Sequence, residues 1–150
     1  MELNPEDWQS PLVLDSVFMA LGRTEEADRY GLIGIKRAEE ALRLHPENSR
    51  PAQLGAATLA RLGERERAID WLERAMFIDP DDPVVSYNAA CTYCHLGEHD
   101  KAFATLKKWA TNSGTEMELW MENNSDFNAI RDDPRFDIFM AKVRQARAAS

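Results

Sequence analysis

The sequence has few cysteines, no long apolar run and fewer basic than acidic residues. Two cysteines among 150 residues are too few for the disulfide scaffold that stabilises many small secreted domains. No apolar run reaches the roughly 18 residues that a membrane helix needs, so no membrane insertion is predicted. The acidic N-terminus, Met1 to Asp7, lacks the apolar core of a secretory signal. Together these absences predict a cytoplasmic protein.

The excess of acidic residues restricts the partners of the protein. The chain has 26 Asp and Glu against 18 Lys and Arg, which gives a net charge of −8. A negative field repels phosphate, so no nucleic-acid partner is predicted. Apolar residues make up 44% of the chain, which is enough to build a core.

An internal repeat organises the chain. Leu62-Gly63-Glu64 recurs 34 positions later as Leu96-Gly97-Glu98. Other small and large apolar residues recur at the same offset: Ala56 and Ala90, Leu59 and Tyr93, Ala68 and Ala102, Leu72 and Leu106. Self-similarity at a fixed period of this length indicates a stack of small structural units.

Each unit is predicted to form two helices. Asp82 can cap a helix that starts at Pro83, and Gly97 can end it. Residues 101–110 then show a helical apolar face, and no segment shows the sustained alternation of a strand. Alanines stand where two helices would cross, and a small side chain lets them approach closely.

The pattern resembles the tetratricopeptide repeat, a pair of antiparallel helices 34 residues long. The residues that carry the resemblance are Ala56, Leu59, Gly63, Ala68, Leu72, Ala75 and Pro80, then Ala90, Tyr93, Gly97, Ala102 and Leu106. The resemblance implies an all-α, right-handed solenoid of about three helical hairpins with a capping C-terminal helical segment. Trp109 and Gly114 stand where alanine and proline are usual, so the last repeat is expected to pack differently onto the segment after it.

The predicted units are an extended first repeat at residues 8–48, repeats at 49–82 and 83–116, and a C-terminal cap at 117–150. Seven extra residues in the first repeat correspond to about two helical turns, which fits a longer second helix. Gly31 and Gly34 lie inside it, and we expect them to mark close packing or a break in the helix. A hinge or a dimer contact is the alternative.

The C-terminal segment is predicted to cover the end of the solenoid. Asp133 can cap a last helix that begins at Pro134, and its apolar stripe is Phe136, Phe139, Met140 and Val143. Segments 87–91, 96–98 and 131–136, with Trp120, Asp126 and Phe127, resemble the C-terminal repeat region of bacterial signalling proteins. These include class III adenylate cyclases, TolB-like proteins and serine/threonine kinases. The resemblance implies a regulatory or interaction segment rather than a catalytic domain.

The sequence Cys91-Thr92-Tyr93-Cys94-His95 matches the signature for covalent haem attachment. Zinc binding by these residues with His99, or a redox pair of thiols, are two further interpretations. We expect instead two small buried or groove-lining side chains, with no cofactor and no metal. No arrangement of nucleophile, base and phosphate-binding loop is found, so no catalytic residue is predicted and the protein is not expected to be an enzyme.

The concave groove is the predicted binding site, since the first helix of each repeat lines it in this family. The resemblance assigns to it Arg50, Gln53, Ala57, Arg61, Tyr87, Asn88, Cys91 and Cys94. The first helix is expected to add Gln9, Leu12, Ser16 and Met19. The arginines and amides would form a locally basic patch for an acidic peptide or a C-terminal carboxylate. The tryptophans Trp8, Trp71, Trp109 and Trp120 are expected to be core residues.

The predicted function is therefore protein–protein interaction, with a protein or peptide partner bound in the groove. The regulatory end of a bacterial signalling protein such as an adenylate cyclase is one setting for it. An alternative function is self-association as a homodimer through the extended first hairpin. A third hypothesis is a metal or redox protein that uses Cys91 and Cys94.

Overall fold

Paired helices stack into an all-α repeat solenoid, as predicted. The structure is a computed structural model that describes residues 4–110 and 121–148, and no strand occurs in these ranges. The paired helices are α1 (Gln9–Ala20) with α2 (Thr24–Leu44), α3 (Arg50–Arg61) with α4 (Arg65–Ile78), and α5 (Pro83–His95) with α6 (His99–Ala110). Helices α3 and α5 also pack against each other, so the first helix of each pair faces its neighbours along the stack.

A glycine with a left-handed backbone joins the two helices of each pair. Gly22, Gly63 and Gly97 have φ angles of 73°, 85° and 75°, a region that L side chains rarely adopt. The amide of Glu64 then donates to the carbonyl of Leu59 over 2.9 Å, closing the end of α3. Glu98 makes the same bond at the end of α5, so the turn chemistry repeats with the sequence.

Wholly buried alanines lie between the helices. Five of the repeat alanines have no exposed surface: Ala56, Ala68, Ala75, Ala90 and Ala102. Leu59, Leu72 and Leu106 are buried beside them, whereas Tyr93 is half-buried and contacts both core clusters. The small side chains permit the close approach, and the larger ones fill the space next to it.

The extended helix α2 is continuous over 21 residues. Gly34 lies against α1, where an added Cβ would come within 2.6 Å of Leu12 Cδ2. Gly31 is also buried, and a Cβ there would lie 3.0 Å from Thr58 of α3. Close packing, rather than a break in the helix, therefore explains both glycines.

The C-terminal segment packs over the third helix pair. It contains a 3₁₀ helix at Ser125–Ile130 and helix α7 at Pro134–Ala148. Asp133 caps α7 by accepting a bond from the Arg135 amide over 2.9 Å. Phe136, Phe139 and Met140 are buried and Val143 is partly buried, in the same cluster as Trp109. The predicted capping stripe is therefore confirmed.

Other sequence predictions have mixed outcomes. Asp82 caps α5 through a 2.8 Å bond from the Val84 amide. Trp71 and Trp109 are core residues and Trp8 packs against the core, whereas Trp120 and Gly114 lie outside the described residues. The division at residues 8–48, 49–82, 83–116 and 117–150 stays a prediction. Among the helices in the described ranges, none is long and apolar enough to cross a membrane.

Candidate functional site

A cavity of about 270 Å³ lies on the face formed by the first helices of the three pairs. Helices α1, α3 and α5 line it, and the C-terminal segment forms another wall. The 3₁₀ helix packs on α5 and also contacts α1, so the segment narrows the groove. The predicted residues that line the cavity are Leu12, Ser16, Met19, Ala57, Arg61, Asn88 and Cys91.

The other predicted groove residues lie elsewhere. Gln53, Tyr87 and Cys94 are almost wholly buried behind the cavity and have 3%, 5% and 3% of their surface exposed. The Asn88 amide donates to Gln53 Oε1 over 2.9 Å, which holds the Gln53 side chain between α3 and α5. Arg50 and Gln9 are exposed and do not line the cavity. Packing between neighbouring elements removes the three buried positions from the groove wall.

Arg61 does not provide the predicted basic patch. Its Nη2 lies 2.5 Å from Asp15 Oδ1, and its Nη1 lies 2.6 Å from Asp28 Oδ1. Only 11% of the Arg61 side chain is exposed. Two carboxylates therefore neutralise this guanidinium, and the predicted basic character of the groove is wrong at this position.

Asp15 is a buried carboxylate at the centre of the site. The Thr58 hydroxyl donates to its Oδ2 over 2.7 Å, and Arg61 pairs with its other oxygen. Burial raises the pKa of Asp15 above its ordinary value, while the Thr58 hydrogen bond and the Arg61 charge oppose that rise. The group ties α1 to α3 and offers little of its surface to a ligand.

Polar contacts fasten the C-terminal segment to α5. His95 Nε2 lies 2.6 Å from Asp126 Oδ1, and the Asn124 side-chain amide donates to the Tyr87 hydroxyl over 2.9 Å. His95, Asn124 and Asp126 line the cavity together with Asp15. Sequence reasoning missed all four as groove residues, because their partners lie about one repeat or more away. The only local signal was Asn124, which caps the 3₁₀ helix by accepting from the Asp126 amide.

The two cysteines have the environment of packing residues. Cys91 and Cys94 have 2% and 3% of their surface exposed. Burial raises the pKa of both thiols, that of Cys94 to about 12, and nearby Asp126 adds to the rise. Thiolates are the nucleophiles and metal ligands, so both side chains are poorly suited to redox or metal chemistry. Within residues 4–110 and 121–148, no three metal-ligating side chains form a cluster.

Two exposed valines form an apolar rim. Val13 and Val17 stand one helical turn apart on α1, line the cavity and have 49% and 45% of their surface exposed. The polar groups farther in are largely bonded to one another, in the pairs Arg61–Asp15, His95–Asp126 and Asn88–Gln53. The cavity can therefore accept an apolar group at its rim without breaking these bonds.

Comparison with known proteins gives a distant similarity. No family model matches the chain. A cytochrome c-type biogenesis protein, CycH of Rhizobium meliloti (strain 1021), is 28% identical over 116 residues. The match covers 75% of this chain and 29% of that protein, so the chain spans less than a third of its length. This similarity and the all-helical fold are compatible with a tetratricopeptide-like protein.

Proposed function

We propose that this protein is a tetratricopeptide-like scaffold that binds a segment of a partner protein in the concave cavity. The observation that carries the proposal is the apolar rim of Val13 and Val17 above a polar wall whose groups are largely bonded to one another. Apolar groups that are left in water at the mouth of a cavity favour association with a complementary side chain. The proposed role is binding rather than catalysis.

The charges of the cavity wall change the kind of partner expected. The carboxylates of Asp15 and Asp126 line the cavity with Arg61 and His95, and Asp28 pairs with Arg61 from outside the lining. A carboxylate from an acidic peptide would meet more negative than positive charge here. The proposed segment therefore presents an apolar side chain, flanked by uncharged or basic residues.

Substitution of the rim tests this function. Val13→Glu with Val17→Glu places two charges at the mouth of the cavity and leaves the buried network intact. Proteins crosslinked to the native chain in cells of its source are then quantified for each variant. We expect the yield of the specific partner to fall roughly tenfold or more, since apolar anchors dominate such contacts.

The matched control is Leu32→Glu with Leu44→Glu, which changes two leucines of α2 that are 62% and 57% exposed. The control should retain the partner. Equal yields of crosslinked partner with the rim variant and the native chain would exclude the cavity as the binding site. Loss of the partner in both variants would exclude the cavity as the sole binding site, since the α2 face would then be required as well.

The similarity to a cytochrome c-type biogenesis protein suggests one class of partner for this proposal. Proteins of cytochrome c assembly are candidates for the crosslinked species. The regulatory end of a bacterial signalling protein remains a second candidate setting. Arg61→Glu is unsuitable as a test of either, since it would place three carboxylates side by side.

Self-association through the extended first hairpin remains an alternative proposal. The exposed Leu32 and Leu44 of α2 are its candidate contacts. If this hairpin forms a dimer, the Leu32→Glu and Leu44→Glu variant should sediment as a monomer where the native chain does not. A metal or redox role of Cys91 and Cys94 would require partner binding to fail when both become alanine.

A further inference from the structure

Helices α6 and α7 carry positive charge in an acidic protein. Together they contain seven Lys and Arg but only two Asp, although the whole chain has a net charge of −8. The remainder of the chain is therefore strongly acidic. Such separation of charge on one molecule creates two regions that attract each other between copies.

The basic region contains a cleft between α6 and α7. The cleft has a volume of about 400 Å³, and its wall includes Phe103, Phe139 and the 57% exposed Ile138. Lys107, Arg135 and Lys142 complete the lining. Arg135 is paired with Asp100 and Asp133 at 2.6 and 2.9 Å. Neither lysine has an ion-pair partner in the part of the chain that the structure describes, so both charges are available.

The acidic region includes an exposed stripe on α4. Glu66, Asp70, Glu73 and Phe77 recur at helical spacing, and all four are exposed. Phe77 has 88% of its surface exposed, the largest value among the exposed apolar residues that the structure describes. No ion pair involves the three carboxylates within residues 4–110 and 121–148. The stripe thus combines free negative charge with an unburied aromatic ring.

The two regions occupy equivalent positions in successive repeats. Lys107 follows Glu73 by 34 positions, which is the repeat length, so the same outward position carries opposite charge on α4 and α6. A two-fold axis between these helices would bring Glu73 of each copy towards Lys107 of the other. A surface that complements itself in this way is what a two-fold dimer requires.

We propose that a second copy of this chain is the occupant of the α6/α7 cleft. In this dimer Phe77 enters the apolar cleft of the second copy. The carboxylates of Asp70 and Glu73 then face Lys107 and Lys142 of that copy. Charge complementarity sets the register, and burial of Phe77 supplies apolar contact area. The contact is independent of the concave cavity, so cavity variants should leave it unchanged.

A charge-swap experiment tests the dimer by sedimentation of the full chain. Lys107→Glu with Lys142→Glu makes the cleft acidic, and Asp70→Lys with Glu73→Lys makes the stripe basic. Each variant alone should be monomeric under conditions where the native chain is a dimer. An equimolar mixture should form a heterodimer, because each cleft then meets a stripe of opposite charge.

The salt dependence of the dimer and a matched control variant test whether the contact is electrostatic and specific to the cleft. Raising NaCl from about 50 mM to about 500 mM should weaken the native dimer roughly tenfold or more, since exposed charges are screened. Lys36→Glu with Arg50→Glu, two exposed cations outside the cleft, should keep the dimer. A native chain that stays monomeric at 50 mM NaCl overturns the proposal. Dimers that survive either swap, or a mixture that stays monomeric, overturn it equally.

Discussion

At the scale of single residues, burial decides what Cys91 and Cys94 can do. Both thiols lie on α5 beneath the C-terminal segment, and the Asn124 amide lies 3.7 Å from Cys91 Sγ. Loss of hydration disfavours the thiolate, and the carboxylate of Asp126 disfavours it further. A spacing that is typical of haem attachment can therefore arise from the packing of a helical repeat.

Native-state thiol labelling checks this conclusion. At pH 8 we expect neither cysteine to react with a thiol-specific reagent on the minute timescale, because both are buried and their pKa values are raised. Two equivalents should react at once in denaturant. Rapid labelling of either thiol in the folded protein would contradict the packing role.

At the scale of elements, the junction of α1 and α2 depends on Gly34. The helix backbone approaches Leu12 so closely that a methyl group has no room, with the Leu12 amide nitrogen only 3.1 Å from the Cβ position. In a helix interior glycine costs about 1 kcal/mol relative to alanine, so packing must favour it here. The extended helix α2 is thus held against α1 by a close backbone contact rather than by the helix propensity of its residues.

Gly34→Ala should lower the free energy of unfolding by about 1–3 kcal/mol despite the gain in helix propensity. Urea denaturation followed by circular dichroism measures the change. Leu32→Ala, an exposed site two residues earlier, should change it by less than about 0.5 kcal/mol. A stabilised Gly34→Ala variant would show that Leu12 moves aside without cost.

At the scale of the whole molecule, the C-terminal segment both closes the core and shapes the cavity. Phe127 is fully buried, and its ring lies 5.4 Å from that of Tyr87 in an edge-on arrangement. The segment is also held by Arg131, which donates to the carbonyls of Met121 and Asn124 over 3.0 and 2.7 Å. A solenoid end needs such a cover because the last repeat has no neighbour.

Phe127→Ala should therefore destabilise the protein by about 3–5 kcal/mol, the usual cost of removing a buried aromatic side chain. Thermal unfolding would measure the loss of stability, and faster hydrogen exchange of the α5 amides would show that the core beneath the segment is exposed. Phe77→Ala, measured at high salt, serves as a control because its ring is almost wholly exposed. Similar stability of the two variants would mean that the segment does not cover the core.

The sequence by itself determined the local architecture. Turn glycines, caps and buried alanines act within one helix pair, so a 34-residue period is enough to predict them, as with Gly63 and Ala68. The capping stripe of α7 was also predictable, because its periodicity is helical. These features depend on contacts between residues that are close in the sequence or that recur at the repeat period.

Only the tertiary structure decided the character of the site. Arg61 meets Asp15 across 46 positions, and His95 meets Asp126 across 31. These pairings depend on the curvature of the helix stack and on where the C-terminal segment returns, which no local pattern encodes. The sequence predicted a basic groove, whereas the structure has a cavity with internally paired charges and an apolar rim. The reason is that carboxylates distant in the chain already neutralise Arg61, so its charge is not available to a ligand.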